Sequence, residues 1–133
     1  MRVMIIVRAN RNSEAGHMPG PDVLAQMQKF NDEVAAAGVL VGMGGLQPSA
    51  NGKRVKASGG KRMILDGPFA ETKELIAGYA IWEVASMDEA MEWVARFPDT
   101  GEDDEIEIRP MYDHGPCGHR AETAHAAKPI AAE

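Results

Sequence analysis

The residue pattern predicts an α+β fold, with two helices laid on one face of an antiparallel sheet. Three observations carry that expectation. Four short apolar segments have the length and alternation of strands. Two others repeat apolar residues at helical spacing. With a polar hairpin set aside, the six run strand, helix, strand, strand, helix, strand.

The first strand spans Arg2–Arg8. Val3, Ile5 and Val7 share one face, and Arg2, Met4, Ile6 and Arg8 the other. The second face is apolar in its middle and charged at its ends. That predicts a central strand, covered by helix on one side and by a second subunit on the other. Residues 9–20 are polar and rich in turn formers, and read as a loop. Pro21 suits the first position of a helix over about 21–37, where its missing N–H would be unpaired anyway. Val23, Met27, Phe30, Val34 and Ala37 form its apolar stripe, which Leu24 widens. Gly38 follows as a left-handed cap. Val39–Leu46 is the next strand, bounded by Pro48. Its Gly42, Gly44 and Gly45 lack the third glycine and the following helix of a phosphate cradle. They mark a bulge or the close approach of another backbone.

Asn51-Gly52 and Gly59-Gly60 are turn signals around a polar hairpin, in which Lys53–Ser58 pairs with Lys61–Leu65. It carries Lys53, Arg54, Lys56, Lys61 and Arg62. Those cations read as edge lysines that block aggregation in preference to a nucleic-acid contact. Ile76–Val84 is the third main strand, with Tyr79, Ile81 and Trp82, and is apolar on both faces. Ser86 and Glu89 make a capping box for the second helix. Its stripe of Met87, Ala90, Met91, Val94 and Phe97 ends before Pro98. Ile106 and Ile108 alternate with acids in a last strand to about Met111. One domain therefore covers 1–112. Residues 113–133 lack periodicity and read as a flexible C-terminal tail.

With the hairpin as an insertion, the βαββαβ order is the ferredoxin-like arrangement. Two helices cover only one face of such a sheet. The bare face, with Met4, Ile6 and part of Tyr79–Val84, predicts a homodimer whose sheets pack face to face.

Composition narrows the function. A chain of 133 residues suits one domain with its own core. Twenty acids against 14 bases give a net charge of −6, which disfavours binding to nucleic acid through its phosphates. Aromatic residues at 5% are too few for a set of base-stacking platforms. No apolar run approaches the roughly 18 residues of a membrane span. The opening MRVMIIVRAN lacks the small-residue cleavage site of a signal peptide. The single cysteine, Cys117, leaves no internal disulfide and is compatible with a reducing cytosol, so a cytoplasmic location is expected. Asp113, His114, Cys117 and His119 offer metal donors at a spacing that matches no common zinc pattern. No metal and no cofactor are assigned.

The informative stretch is Asp66-Gly-Pro-Phe-Ala-Glu-Thr-Lys-Glu74. An aspartate stands where a strand ends, and Gly67-Pro68 forces a turn behind it. Two readings stand. Asp66 bonds its own backbone in an Asx-turn, or its carboxylate stands at the mouth of a cleft with Glu71, Thr72 and Lys73 in reach. Tyr79, on the following strand, either donates its phenol to a ligand or packs at the rim.

DGPFAETKE followed by IAGY resembles the signature of DGPF-domain proteins within the YCII-related family. The likeness extends over about residues 1–112. The opening strand, AAGVLVGMGGLQP at 36–48 and EIRP at 107–110 all resemble that family. It implies a ferredoxin-like fold that dimerises as an α+β barrel. It implies a largely unassigned activity, suspected to be enzymatic, built on a histidine and the aspartate of the DGP turn. Asp66 matches that aspartate. The histidine finds no match, since His17 lies in the loop before the first helix and His114, His119 and His125 lie in the tail. The resemblance further implies an association with extracytoplasmic-function sigma factors.

Two functions are therefore in view. In one, the chain is a small-molecule enzyme with Asp66 as acid or base and Glu71, Thr72, Lys73 and Tyr79 binding an unknown small molecule. In the other, it is a non-catalytic ligand-binding or regulatory module linked to a sigma-factor pathway. The first requires the Asp66 carboxyl to face a sheltered hollow.

Overall fold

The computed structural model describes residues 1–101 and 104–112. The expected tail at 113–133, with the donors at Asp113, His114, Cys117 and His119, lies outside the described residues. The elements in chain order are β1 (Arg2–Arg8), α1 (Arg11–Glu14), α2 (Pro21–Ala36), β2 (Leu40–Gly45), β3 (Lys53–Ser58), β4 (Lys61–Asp66), β5 (Ile76–Glu83), α3 (Met87–Val94) and β6 (Ile106–Pro110). Short 3₁₀ turns lie at Ser49–Asn51 and Thr72–Glu74.

The main sheet is antiparallel with strand order β2-β5-β1-β6, and β3-β4 form a separate ribbon. This is the ferredoxin-like order with an inserted hairpin, as the sequence predicts. β1 is central, between β5 and β6. Its register sets Val3 opposite Trp82, and Ile5 opposite Ala80 and Ile108. Those residues face the helices. Val3, Ile5 and Trp82 form the core with Phe30 and Val34 from α2 and Ala90 from α3. Phe30 is its hub, with ring centroids 6.1 Å from Trp82, 6.3 Å from Trp93 and 5.3 Å from Phe97.

The register sets Met4 opposite Ile81 and Ile6 opposite Tyr79 on the helix-free face. Ile6 is buried there, while Met4 and Ile81 are half-buried. Ion pairs frame this apolar middle. Arg2 pairs with Glu83, and Arg8 with Glu107.

The helix ends follow local chemistry. Pro21 opens α2, and Gly38 closes it at φ +76°. The N–H groups of Gly38 and Val39 donate to the carbonyls of Ala35 and Val34, the double bond of a Schellman cap. Leu24 is exposed and does not widen the stripe. At α3, Ser86 accepts from the Glu89 N–H, while the Glu89 carboxylate accepts from the Ala85 N–H. The regular helix ends at Val94, short of Phe97, because the last residues close by tighter i→i+3 bonds: Arg96 to Trp93 and Phe97 to Val94.

The loop expected at 9–20 contains one helical turn, α1. Asn10 accepts from the Ser13 N–H at 2.9 Å, and the Ser13 hydroxyl accepts from the Asn10 N–H at 2.9 Å. That reciprocal cap holds four residues in a helical turn. No helix among the described residues is long and apolar enough to cross a membrane.

Candidate functional site

The DGPF turn is the root of the β3-β4 ribbon. Gly59 and Gly60, at φ +57° and +80°, close the far end in a two-residue loop. That loop fixes the register, so Lys53 lies opposite Asp66. The Lys53 Nζ donates to the Asp66 carboxylate at 2.5 Å. The Asp66 side chain is 75% exposed and that of Lys53 68%. The interaction that holds Asp66 is thus a cross-strand ion pair.

Behind Asp66 the chain is braced from three directions. The Gly67 N–H donates to the Gly52 carbonyl at 3.0 Å. A Cβ at Gly67 would lie 1.7 Å from the Ser49 carbonyl oxygen, so only glycine lets the two backbones approach. The Phe69 N–H donates to the Ser49 hydroxyl at 3.0 Å, and that hydroxyl donates to Glu14 at 2.6 Å. The Ser49 N–H donates to the other Glu14 oxygen at 2.9 Å. One carboxylate from α1 therefore positions Ser49, and Ser49 positions the turn. The Arg54 guanidinium lies 4.0 Å from the Phe69 ring centroid, tying β3 to the same turn by a cation–π contact.

Among the described residues, the other candidate residues make no hydrogen bond or ion pair with the Asp66 side chain. Glu71 and Lys73 are exposed around the 3₁₀ turn that Thr72 opens, where the Glu74 N–H donates to the Glu71 carbonyl at 2.8 Å. Tyr79 is 37% exposed on β5, on the helix-free face. Gly44 makes room for its ring, since a Cβ there would lie 2.9 Å from Tyr79 Cε1. The close approach expected at these glycines is thus partly that of a side chain. His17 is exposed after α1, its backbone N–H donating to Asn12. A shallow cleft of about 340 Å³ lies between α2 and the segment after α3, lined by Gln26, Lys29, Phe30, Glu33, Arg96 and Pro98. It contains none of the selected residues, and the Arg96–Glu33 ion pair spans its rim.

The model of the YCII-related domain matches residues 1–114. The chain belongs to the YCII-related family. It is 31% identical over 93 residues to an uncharacterized protein of Rhizobium meliloti (strain 1021), covering 67% of this chain and 73% of that one. A solved structure, 5-chloro-2-hydroxyhydroquinone dehydrochlorinase from Burkholderia phenoliruptrix AC1100 in complex with 2,5-dihydroxybenzoquinone, covers 89% of this chain and 99% of its own. The TM-score is 0.47 and the identity 17%. A likeness at that level speaks to neither substrate nor reaction.

In this YCII-related protein the ionic groups paired at the turn are the exposed Asp66 carboxylate and the Lys53 ammonium. An acceptor and a donor side by side can take a proton from, or hold, a polar ligand. Within the described residues of one copy, the carboxylate meets open solvent and not a hollow. Ser49 and Glu14, and Lys53 as the partner of Asp66, escaped the sequence reading. For Lys53 a signal existed, because counting back from Gly59-Gly60 places it opposite Asp66. For Glu14 and Ser49, 35 residues apart, only the tertiary fold joins them.

Proposed function

We propose that the protein is a small-molecule enzyme acting as a homodimer, with Asp66 as the proton-transferring group. Glu71, Lys73 and Tyr79 orient a polar substrate. The bracing of the DGPF turn carries this reading. Gly67 seated on the Ser49 carbonyl, and Ser49 held by Glu14, fix the carboxylate to a rigid root. The helix-free face with Met4, Ile81 and Tyr79 supplies a surface for the second copy, and in the dimer proposed that copy shelters the turn. The test is a thermal-shift screen of polar metabolites followed by a turnover assay. A ligand that prefers the native state raises the melting midpoint. Asp66→Asn is expected to abolish turnover with the fold intact. Wild-type turnover in that variant overturns the role.

The exposure of Asp66 and its pairing with Lys53 favour a second reading. In that one the turn is a recognition surface, and the protein is a ligand-binding or regulatory module in a sigma-factor pathway. Saturable binding without conversion of any ligand supports it. Measured turnover removes it.

A further inference from the structure

The β3-β4 ribbon stands away from its own domain. All twelve of its strand residues are exposed. Val55 is 61% exposed, Met63 59% and Ile64 65%, with Leu65 next to them. The register pairs Val55 with Ile64 on one face, and puts Met63 and Leu65 on the other. Both faces of the arm are thus apolar in the middle. A two-stranded ribbon with no third strand and no helix on it is marginal in water. Edge lysines that merely repel neighbours explain the charges but not this apolar centre.

The charge on the arm says what covers it. Residues 53–66 hold Lys53, Arg54, Lys56, Lys61 and Arg62 against the one acid Asp66. The rest of the chain holds 19 acids against 9 bases. Two such bodies repel each other, and a basic arm of one placed on the acidic body of the other reverses the sign. We propose that the β3-β4 arm is a clasp that seats its apolar residues on a second copy of this chain. Because Asp66 and Lys53 close its root, a seated arm brings the carboxylate to the seam between copies. The proposal rests on the homodimer reading and assigns it a second contact, separate from the sheet face.

The test is sedimentation of the full chain across a dilution series. Wild type is expected to be a dimer, and Ile64→Glu to raise its dissociation constant at least tenfold with an unchanged circular dichroism spectrum. Ile64→Thr, which keeps a β-branched residue in the strand, is expected to raise it less and guards against a folding defect. Ile81→Glu breaks the sheet-face contact instead. A dimer split by Ile81→Glu and untouched by either change at Ile64 overturns the clasp and leaves the sheet-face pairing standing. A monomeric wild type overturns both. Retention of duplex DNA by wild type and its loss in Lys56→Ala/Lys61→Ala, with the dimer unchanged, assigns the arm to a polyanion and overturns the clasp.

Discussion

Gly67 and Gly44 both lack room for a side chain, but what crowds them differs. At Gly67 the obstacles are backbone atoms, with the Ser49 carbonyl carbon 2.7 Å from the position of a Cβ. Backbone cannot swing aside, so Gly67→Ala must displace the turn. The expected cost is about 2–3 kcal/mol, within the range for overpacking, read as a lowered urea midpoint. At Gly44 the obstacle is the Tyr79 ring, the end of a side chain that can shift about its own torsions. Gly44→Ala is expected to cost about 1 kcal/mol at most. Equal costs at the two positions would contradict the difference in crowding. Glu83 offers a pH test. Its carboxyl is held below the ordinary 4.5, first by a hydrogen bond from the N-terminal ammonium and then by one from Arg2. A depressed folded value makes its contribution complete above the unfolded value and lost as pH falls through the folded one. Glu83→Gln is expected to lower stability by under about 1 kcal/mol at pH 7, the scale of an exposed pair, and to match wild type near pH 2. A difference that persists unchanged at the acid end would show that packing, not charge, holds the residue.

Among the elements, one ring touches the sheet and α3 together. Phe30 touches Trp82 on β5, and Trp93 and Phe97 in and after α3. Phe30→Ala is expected to cost about 3–5 kcal/mol, the range for deleting a buried aromatic, in a chemical denaturation series. A loss under 1 kcal/mol would mean that α2 and α3 pack independently. Phe30 also shows why these elements were legible in the sequence. Its spacing from Val23, Met27 and Val34 is a local, 3.6-residue signal, just as alternation through Val3, Ile5 and Val7 signals β1. Capping at Ser86 and Gly38 is equally local. α1 was not legible, because four residues carry no periodicity and the turn depends on the Asn10–Ser13 cap. The site was legible in part. Gly-Pro marked the turn at Asp66, but its partner Lys53 was missed, although the register counted back from the two-residue hairpin loop places it there. The Glu14–Ser49–Phe69 chain was hidden, because the contact spans distant segments that only the folded sheet brings together.

For the whole molecule, one copy leaves two surfaces incomplete: the helix-free middle of the sheet, and the arm with Asp66 and Lys53 at its root. In the proposed dimer each is covered by a second copy, so both make the same demand on folding. If the native species is a dimer, unfolding yields two chains, and mass action ties stability to concentration. A hundredfold rise in chain concentration then adds about 2.7 kcal/mol per dimer. With roughly 2 cal/mol/K of unfolding entropy per residue, that is a melting midpoint higher by about 5 °C. Wild type melted at ~1 and ~100 μM is the measurement, under conditions where unfolding reverses. The shift is expected to vanish in Ile81→Glu, which melts as a single chain at lower temperature. A wild-type midpoint that does not move with concentration would leave Asp66 open to solvent in the working protein. The enzymatic reading would then yield to that of a recognition surface.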